Sequence, residues 1–166
     1  NTIRAVMSYA SVHDWALEQA DVDTTFLHAT LTEDVYMALP EGIHLIMDST
    51  CAPSSTVINE SKRTGKQIVV KLNRALYGLK QSPRAWRQKL TLILADLGYT
   101  PAICDPGAYY KVVNGSISCI LLVYVDDILI ACDDKQIAQC FKEQLFKHVQ
   151  IKDLQACKHI LGIAVR

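Results

Sequence analysis

The sequence predicts an α+β domain in which helices pack on one face of an antiparallel sheet. Three observations lead to this fold class. Runs rich in Ile, Leu and Val, typical of buried strands, flank the acidic pair Asp126-Asp127. The dipeptide Asn114-Gly115 stands between two apolar runs and is a strong hairpin signal. Apolar residues also recur at helical spacing in three other segments. The 166 residues correspond to one domain with a sizeable core.

The elements follow in order from local signals. The first helix is predicted over Thr2–Ala16, where the apolar residues form a stripe. Ser82-Pro83 opens the second, with Ser as N-cap and Pro at the first helical position, and Gly98 ends it. The third covers Lys135–Lys147. The predicted strands are Leu17–Val22, Val35–Leu39, Gln67–Leu72, Tyr109–Val113, Ser116–Val123, a strand from the acidic pair through Ala131, Val149–Ile151 and Ile160–Val165. The connections include a tight segment, Thr24–Leu31, and a flexible polar loop, Asp48–Lys66.

Charge is balanced overall but unevenly distributed. The net charge is +0, with 17 basic and 17 acidic residues. The stretch from Lys62 to Lys89 contains nine basic residues and no acid, which leaves 17 − 9 = 8 bases and all the acids elsewhere. Such a block suggests a site for a polyanion. The alternative is a solvated face joined to a flexible basic loop.

Cysteine spacing and hydropathy indicate which classes of protein this chain does not resemble. The six cysteines show no short spacing of the zinc or redox type, so we expect them to be reduced and structural, in an intracellular protein. The first residues lack a signal peptide's apolar segment, and no apolar run reaches the roughly 18 residues of a membrane span. Because the chain begins with Asn1, we expect it to be part of a longer polypeptide.

The acidic pair Asp126-Asp127 has two readings. Asp is favoured in a tight hairpin turn, where its side chain can bond to nearby backbone. Alternatively, the hairpin presses two carboxylates together and a divalent cation relieves their repulsion. Asp21, near the end of its strand, would alone be read as a turn or helix cap. If that strand lies beside the hairpin, three carboxylates meet at one sheet edge and could hold two Mg²⁺ ions roughly 4 Å apart.

Five blocks of the sequence carry a family resemblance. In order and at familiar spacings, they resemble the reverse transcriptase of copia-type LTR retrotransposons. The resemblance extends over nearly the whole chain, and the third block joined to the fourth makes it highly specific. The blocks are Gln19–Leu27 (QADVDTTFL), Val35–Gly42 (VYMALPEG), Lys71–Trp86 (KLNRALYGLKQSPRAW), Tyr124–Asp127 (YVDD) and Leu161–Ile163 (LGI).

The resemblance implies a polymerase palm with part of the fingers over residues 1–166, the upstream fingers strands and the thumb lying outside this chain. It implies an RNA-directed DNA polymerase that adds deoxynucleoside triphosphates to a DNA or RNA primer on an RNA template. Two Mg²⁺ ions, with Mn²⁺ as an alternative, would serve as cofactors. The resemblance implies the rest of a Pol polyprotein as a partner and no membrane. It also implies that the protein acts in the cytoplasm, in a virus-like particle, or in the nucleus.

The resemblance also assigns roles to residues. The catalytic acids would be Asp21, Asp126 and Asp127, and the metal would be held by these three together with Val22. Phe26, otherwise a plain core aromatic, would exclude a 2′-hydroxyl from the nucleotide site. The other nucleotide-binding residues would be Gly78, Lys80 and Tyr124. The nucleic-acid-binding residues would be Gln81, Ser82, Pro83 and Arg84.

Several choices stay open on the sequence. Arg84, Arg87 and Lys89 could equally form an exposed helix face. Either Lys152 or Lys158 could be the late lysine that protonates the leaving pyrophosphate, or each could be a surface lysine. Because the clamp on template and primer is incomplete, the chain could also be an inactive remnant that only binds nucleic acid, or a domain that folds only within a polyprotein.

Overall fold

The computed structural model describes residues 2–41, 57, 61 and 63–165. Its helices are α1 Thr2–Val12, α2 Ser82–Asp96 and α3 Lys135–Phe146, and a 3-10 helix spans Thr25–His28. The strands are β1 Ala16–Val22, β2 Thr30–Ala38, β3 Val69–Arg74, β4 Thr100–Pro101, β5 Ala108–Val113, β6 Ser116–Tyr124, β7 Asp127–Cys132, β8 Ile151–Ala156, β9 His159–Ile160 and β10 Ile163–Ala164.

A six-stranded antiparallel sheet organises the chain, in the order β4-β5-β6-β7-β1-β8. β2 pairs with β3, and β9 with β10, as separate two-stranded ribbons. The hairpin between β5 and β6 has Asn114 and Gly115 at φ values of 51° and 82°, as a type I′ turn requires. This confirms the α+β class and the hairpin expected from the sequence.

Helices cover both faces of the sheet, so the prediction of helices on one face was wrong. Residues of α2 and α3 pack on one side, against Leu121, Ile128 and Ile130. Val6 and Ala10 of α1 pack on the other side, against Ala131. The physical reason is that β7 is apolar on both faces, from Ile128 to Cys132, and each face must be removed from water. Burying each Ile or Leu there contributes roughly 1.5–3 kcal/mol.

The start of α2 differs from expectation, whereas its end does not. Gln81 is the N-cap residue and makes no side-chain cap hydrogen bond, so Ser82 is the first helical residue rather than the cap. The Ser82 hydroxyl is fully buried and donates to the carbonyl of Leu76, which closes the preceding turn. Gly98, with φ of 83°, follows the helix as predicted.

The last strands also needed correction. The predicted strand Val149–Ile151 lies before the observed β8, Ile151–Ala156, whose residues are nearly all exposed and therefore give no burial pattern. The predicted strand Ile160–Val165 is interrupted at Leu161 and Gly162, which adopt φ values of 47° and 78° and reverse the chain. Most of the predicted loop Asp48–Lys66 lies outside the described residues. None of the described helices has the length and apolar character needed to cross a bilayer.

Candidate active site

Strand pairing places Asp21 directly opposite Asp127. The two residues are Cα partners in the antiparallel pair β1–β7, so their side chains share one face of the sheet. The Val22 N–H donates to the Asp126 carbonyl at 2.9 Å, which makes Asp21 and Asp127 a non-hydrogen-bonded pair. In such pairs the Cα atoms lie about 4.5 Å apart and the side chains are closest. The prediction that the strand ending near Asp21 lies beside the acidic hairpin is confirmed.

The hairpin that carries the acids is tight. Tyr124 pairs with Asp127, so the loop consists of only Val125 and Asp126. Val125 has φ of 59°, a left-handed conformation that β-branched residues rarely adopt. The buried indole of Trp86 donates from Nε1 to the Val125 carbonyl at 2.8 Å. The surrounding structure therefore holds a strained turn in place, as is common at functional sites.

Burial and two neighbouring carboxylates change the pKa of Asp21. Burial, followed by the charges of Asp126 and Asp127, raises the pKa of Asp21 above its ordinary value, whereas the Lys152 ammonium acts in the opposite direction. Lys152 is the Cα partner of Asp21 on β8. Its Nζ lies 2.6 Å from Asp23 Oδ1. The acids and this lysine thus form one electrostatic group.

The two candidate lysines are placed differently. Lys152 stands beside Asp21 in the sheet, as described above. Lys158 is exposed in the connection between β8 and β9, where its backbone carbonyl accepts from Val165. Of the two lysines, Lys152 is the one that strand pairing places opposite Asp21.

The acids of the described residues do not form a preformed metal site. Within the described ranges, no three His, Cys, Asp or Glu side chains are grouped closely enough to hold a metal ion. Asp127 Oδ1 instead accepts a hydrogen bond from Gln19 Nε2 at 2.9 Å. The backbone carbonyl oxygen is the only atom of Val22 that could bind a metal ion. It accepts a hydrogen bond from the Thr25 hydroxyl at 2.9 Å. The residue types nevertheless fit Mg²⁺, because carboxylates are the hard oxygen ligands that this ion prefers. Asp21 and Asp127 lie on one face of the sheet, where a cation would relieve their repulsion. Binding through all three acids requires side-chain rotation.

Phe26 follows the strand that carries Asp21 and packs in the core together with Ala20 and Val22. The 3-10 helix that carries it follows Thr24, whose φ is 48°, directly after β1. Phe26 is buried, and its ring centroid lies 4.5 Å from that of Tyr77, a largely exposed residue. A cavity of about 190 Å³ is lined by Phe26, Val125 and the α2 residues Pro83 and Trp86, among others. The sequence analysis assigned no role to Tyr77, because its contact with Phe26 joins residues that lie far apart in the chain.

The residues assigned to the nucleotide and to nucleic acid around the start of α2 differ in their exposure. Gly78 has φ of 93°, and a side chain there would meet nothing within 4 Å. Lys80, Pro83 and Arg84 are exposed. Gln81 is half-buried and its Nε2 lies 3.4 Å from Glu33 Oε2. Ser82 is the exception, because its buried hydroxyl is already bonded and does not face solvent.

The basic block divides into two groups. Three members bind the protein itself: Lys71 pairs with Asp34 at 2.6 Å, Arg74 donates to the Leu27 carbonyl and Lys89 to the His28 carbonyl. Within the part of the chain that the structure describes, the other five have side chains that are exposed and make neither a hydrogen bond nor an ion pair: Arg63, Lys66, Lys80, Arg84 and Arg87. Lys62 lies outside the described residues. The exposed group offers positive charge to a polyanion.

Comparisons with known proteins identify the family of this chain. The family model described as reverse transcriptase (RNA-dependent DNA polymerase) matches residues 1–166. The chain is 37% identical over 164 residues to the Retrovirus-related Pol polyprotein from transposon TNT 1-94 of Nicotiana tabacum. It is 33% and 31% identical over 165 residues to the corresponding polyproteins from transposons RE1 and RE2 of Arabidopsis thaliana. These matches cover 99% of this chain but only 11%, 10% and 10% of the relatives.

Proposed function

We propose that this chain, which belongs to the reverse transcriptase (RNA-dependent DNA polymerase) family, forms the palm and part of the fingers of a copia-type Pol polyprotein. It would extend a primer 3′-end on an RNA template. The observation that carries the proposal is the cross-strand pair of Asp21 and Asp127, with Asp126 at the tip of the same hairpin. The sheet bearing these acids would be the palm, and the β2–β3 ribbon would belong to the fingers.

The reaction joins the primer O3′ to the α-phosphorus of a deoxynucleoside triphosphate, releases the proton of the primer hydroxyl to water and breaks the bond to pyrophosphate. When bound, two Mg²⁺ ions would activate the hydroxyl and stabilise charge on the transferring phosphoryl group. Asp21, Asp126, Asp127 and the carbonyl of Val22 would hold them. Lys152 would leave Asp23 and give a proton from Nζ to the departing pyrophosphate oxygen.

Other residues would position the substrates. The exposed Tyr124, which precedes the acids, would lie at the primer end. Gly78 would allow the backbone to approach the nucleotide closely, and Lys80 would contact its phosphates. Pro83 and Arg84, at the start of α2, would contact the template, with Gln81 beside them. The buried Ser82 would only support this segment.

A primer-extension assay tests the activity. On an RNA template with Mg²⁺, we expect the parent chain to incorporate deoxynucleotides and Asp126→Asn to lose incorporation by roughly 10³-fold, because metal ions supply several kcal/mol in such transfers. Asp96→Asn removes an exposed carboxylate at the end of α2 and serves as the control. Equal incorporation by Asp126→Asn and the parent would refute the catalytic assignment. No incorporation by the parent, with salt-dependent binding of nucleic acid, would indicate the inactive remnant.

Phe26 provides a test of sugar selection. Phe26→Val should increase ribonucleotide relative to deoxynucleotide incorporation by about 10- to 100-fold, the range typical of removing a steric contact of this size. The physical reason is that the shorter side chain leaves room for a 2′-hydroxyl. Phe146→Val, at an exposed phenylalanine ending α3, is the matched control. An unchanged ratio in an active Phe26→Val chain would show that the ring has only a packing role.

A further inference from the structure

Gln19 is a buried polar residue beside the acids. Only 7% of its surface is exposed. Its Nε2 donates to Asp127 Oδ1 at 2.9 Å, and its Oε1 accepts from the Cys157 thiol at 3.7 Å. A carboxylate accepts only, and a thiol is the donor at the other end, so the amide is satisfied in one orientation alone. The two contacts therefore fix both the position and the direction of the Gln19 side chain.

Strand register explains why Gln19 reaches Asp127. Gln19 precedes Asp21 by two residues on β1 and lies on the same face. Its Cα partner on β7 is Leu129, which makes Asp127 its diagonal neighbour across the pair. Diagonal neighbours lie about 7–8 Å apart, within reach of a long side chain. On β8 its partner is Gln155, immediately before a bulge in the pairing.

We infer that Gln19 is a positioning residue for Asp127: it holds Oδ1 through a neutral N–H donor and leaves Oδ2 free for a divalent cation. This inference rests on the proposed function. A neutral donor suits the role, because it fixes the carboxylate without competing with the cation for its charge. Hydrogen bonds from a second layer of residues onto ligating carboxylates are a general feature of metal sites, and their loss lowers metal affinity or activity by about 10- to 100-fold.

Direct metal binding tests the inference. Mn²⁺ alone is titrated into the full chain and followed by its electron paramagnetic resonance signal. We expect Gln19→Leu to weaken Mn²⁺ affinity by about 10- to 100-fold. Gln139→Leu is the matched control, because Gln139 Nε2 makes the same kind of bond, 2.8 Å to Glu143 Oε1, on the exposed face of α3. Gln139→Leu should retain the parent's affinity.

The outcomes separate the inference from the function on which it rests. If the parent binds Mn²⁺ and a folded Gln19→Leu chain binds it equally well, the positioning role is refuted while the proposed function stands. If the parent binds no Mn²⁺, the metal site of the proposed function fails and the role of Gln19 fails with it. A lower melting temperature with unchanged Mn²⁺ affinity would assign Gln19 a packing role only, which also overturns the inference.

A measurement on the parent chain does not depend on the folding of any variant. In ¹⁵N-labelled protein, the side-chain amide protons of Gln19 should broaden at Mn²⁺ concentrations that leave those of Gln139 sharp. Gln139 lies on α3, which packs on the opposite face of the sheet from Asp21 and Asp127. Equal broadening of the Gln19 and Gln139 side-chain amide signals would contradict the inference. So would a sharp Gln19 side-chain signal while the backbone amide signals of Asp21 and Asp127 are broadened.

Discussion

Replacing Asp21 with Asn is expected to stabilise the metal-free chain while removing the polymerase activity proposed above. Asp21 faces Asp127 directly across the β1–β7 pair. Like charges in such positions destabilise a sheet by up to about 1 kcal/mol, and Asn relieves this repulsion at nearly constant shape. For a domain of this size the melting temperature should rise by about 2–4 °C at most. Activity should fall by roughly 10³-fold or more, because the variant lacks a carboxylate that we propose as a ligand of the metal ions.

The difference in stability between Asp21→Asn and the parent should depend on pH. Burial, together with Asp126 and Asp127, raises the pKa of Asp21 above its ordinary 3.8. The folded chain therefore binds this proton more tightly than the unfolded chain does, and the stability contributed by the protonated group is lost as the pH rises from 3.8 through the higher folded value. Asp21→Asn lacks this loss. Its stability advantage over the parent should widen across that window, as thermal melts in EDTA would measure.

Added metal should reverse the order of stability. A cation that binds only the folded state stabilises it by mass action, so Mg²⁺ should raise the melting temperature of the parent more than that of Asp21→Asn. Asp14→Asn is the control, since Asp14 is exposed in the α1–β1 turn and its φ of 56° suits Asn equally well. A metal-free melting temperature that falls in Asp21→Asn, or an equal response to Mg²⁺, would contradict the prediction.

Local sequence signals were sufficient wherever one short segment determines its own geometry. Asn114-Gly115 predicted a hairpin because both residues tolerate positive φ, and the structure has that turn. They were insufficient where the determinant lies elsewhere in the chain. β8 forms by backbone pairing with β1, so its exposed residues carry no pattern. The position of α1 on the second face depends on β7 being apolar on both sides, which a single-helix pattern does not reveal.

The candidate site shows the same division. Asp21, Asp126 and Asp127 could be predicted as a group because acids in or next to apolar strands are unusual and a resemblance connected them. The side chains that hold the site were missed, because each acts across a long sequence separation. Gln19 bonds to Asp127 over 108 residues, and Trp86 bonds to Val125 over 39. For Gln19 a signal did exist: it is a polar residue two positions from Asp21, on the same face of a buried strand.

A buried lysine joins the sheet edge beside the acids to α3. Lys142 is only 5% exposed, although it carries a charge. Its Nζ lies 2.6 Å from Glu18 Oε2 on β1 and 2.7 Å from Asp153 Oδ2 on β8. Burial alone would lower the pKa of Lys142, but the hydrogen bonds to Asp153 and Glu18 outweigh it and the pKa is raised. The lysine therefore stays charged and ties together the strand with Asp21 and the strand with Lys152.

Lys142→Met should be the most destabilising single change considered for this fold. Breaking a buried ion pair by removing one partner costs about 3–5 kcal/mol, and we expect about 3 kcal/mol because the Asp153 side chain is 42% exposed. The cost arises because Glu18 and Asp153 lose their common cation and repel each other. Denaturant unfolding of Lys142→Met against the parent measures it. Lys147→Met, at an exposed lysine just after α3, is the control and should change stability by less than about 0.5 kcal/mol.

A triple variant separates charge from packing. Replacing a whole buried ion network with apolar residues is often neutral or stabilising, so Glu18→Leu, Lys142→Met and Asp153→Leu together should recover most of the loss. A triple variant nearly as stable as the parent would show that the cost of Lys142→Met comes from the two carboxylates left without their cation. A triple variant as unstable as Lys142→Met would instead mean that the lysine stem, and not its charge, supports this edge. In that case the ion pairs would follow from the packing of α3 rather than determine it.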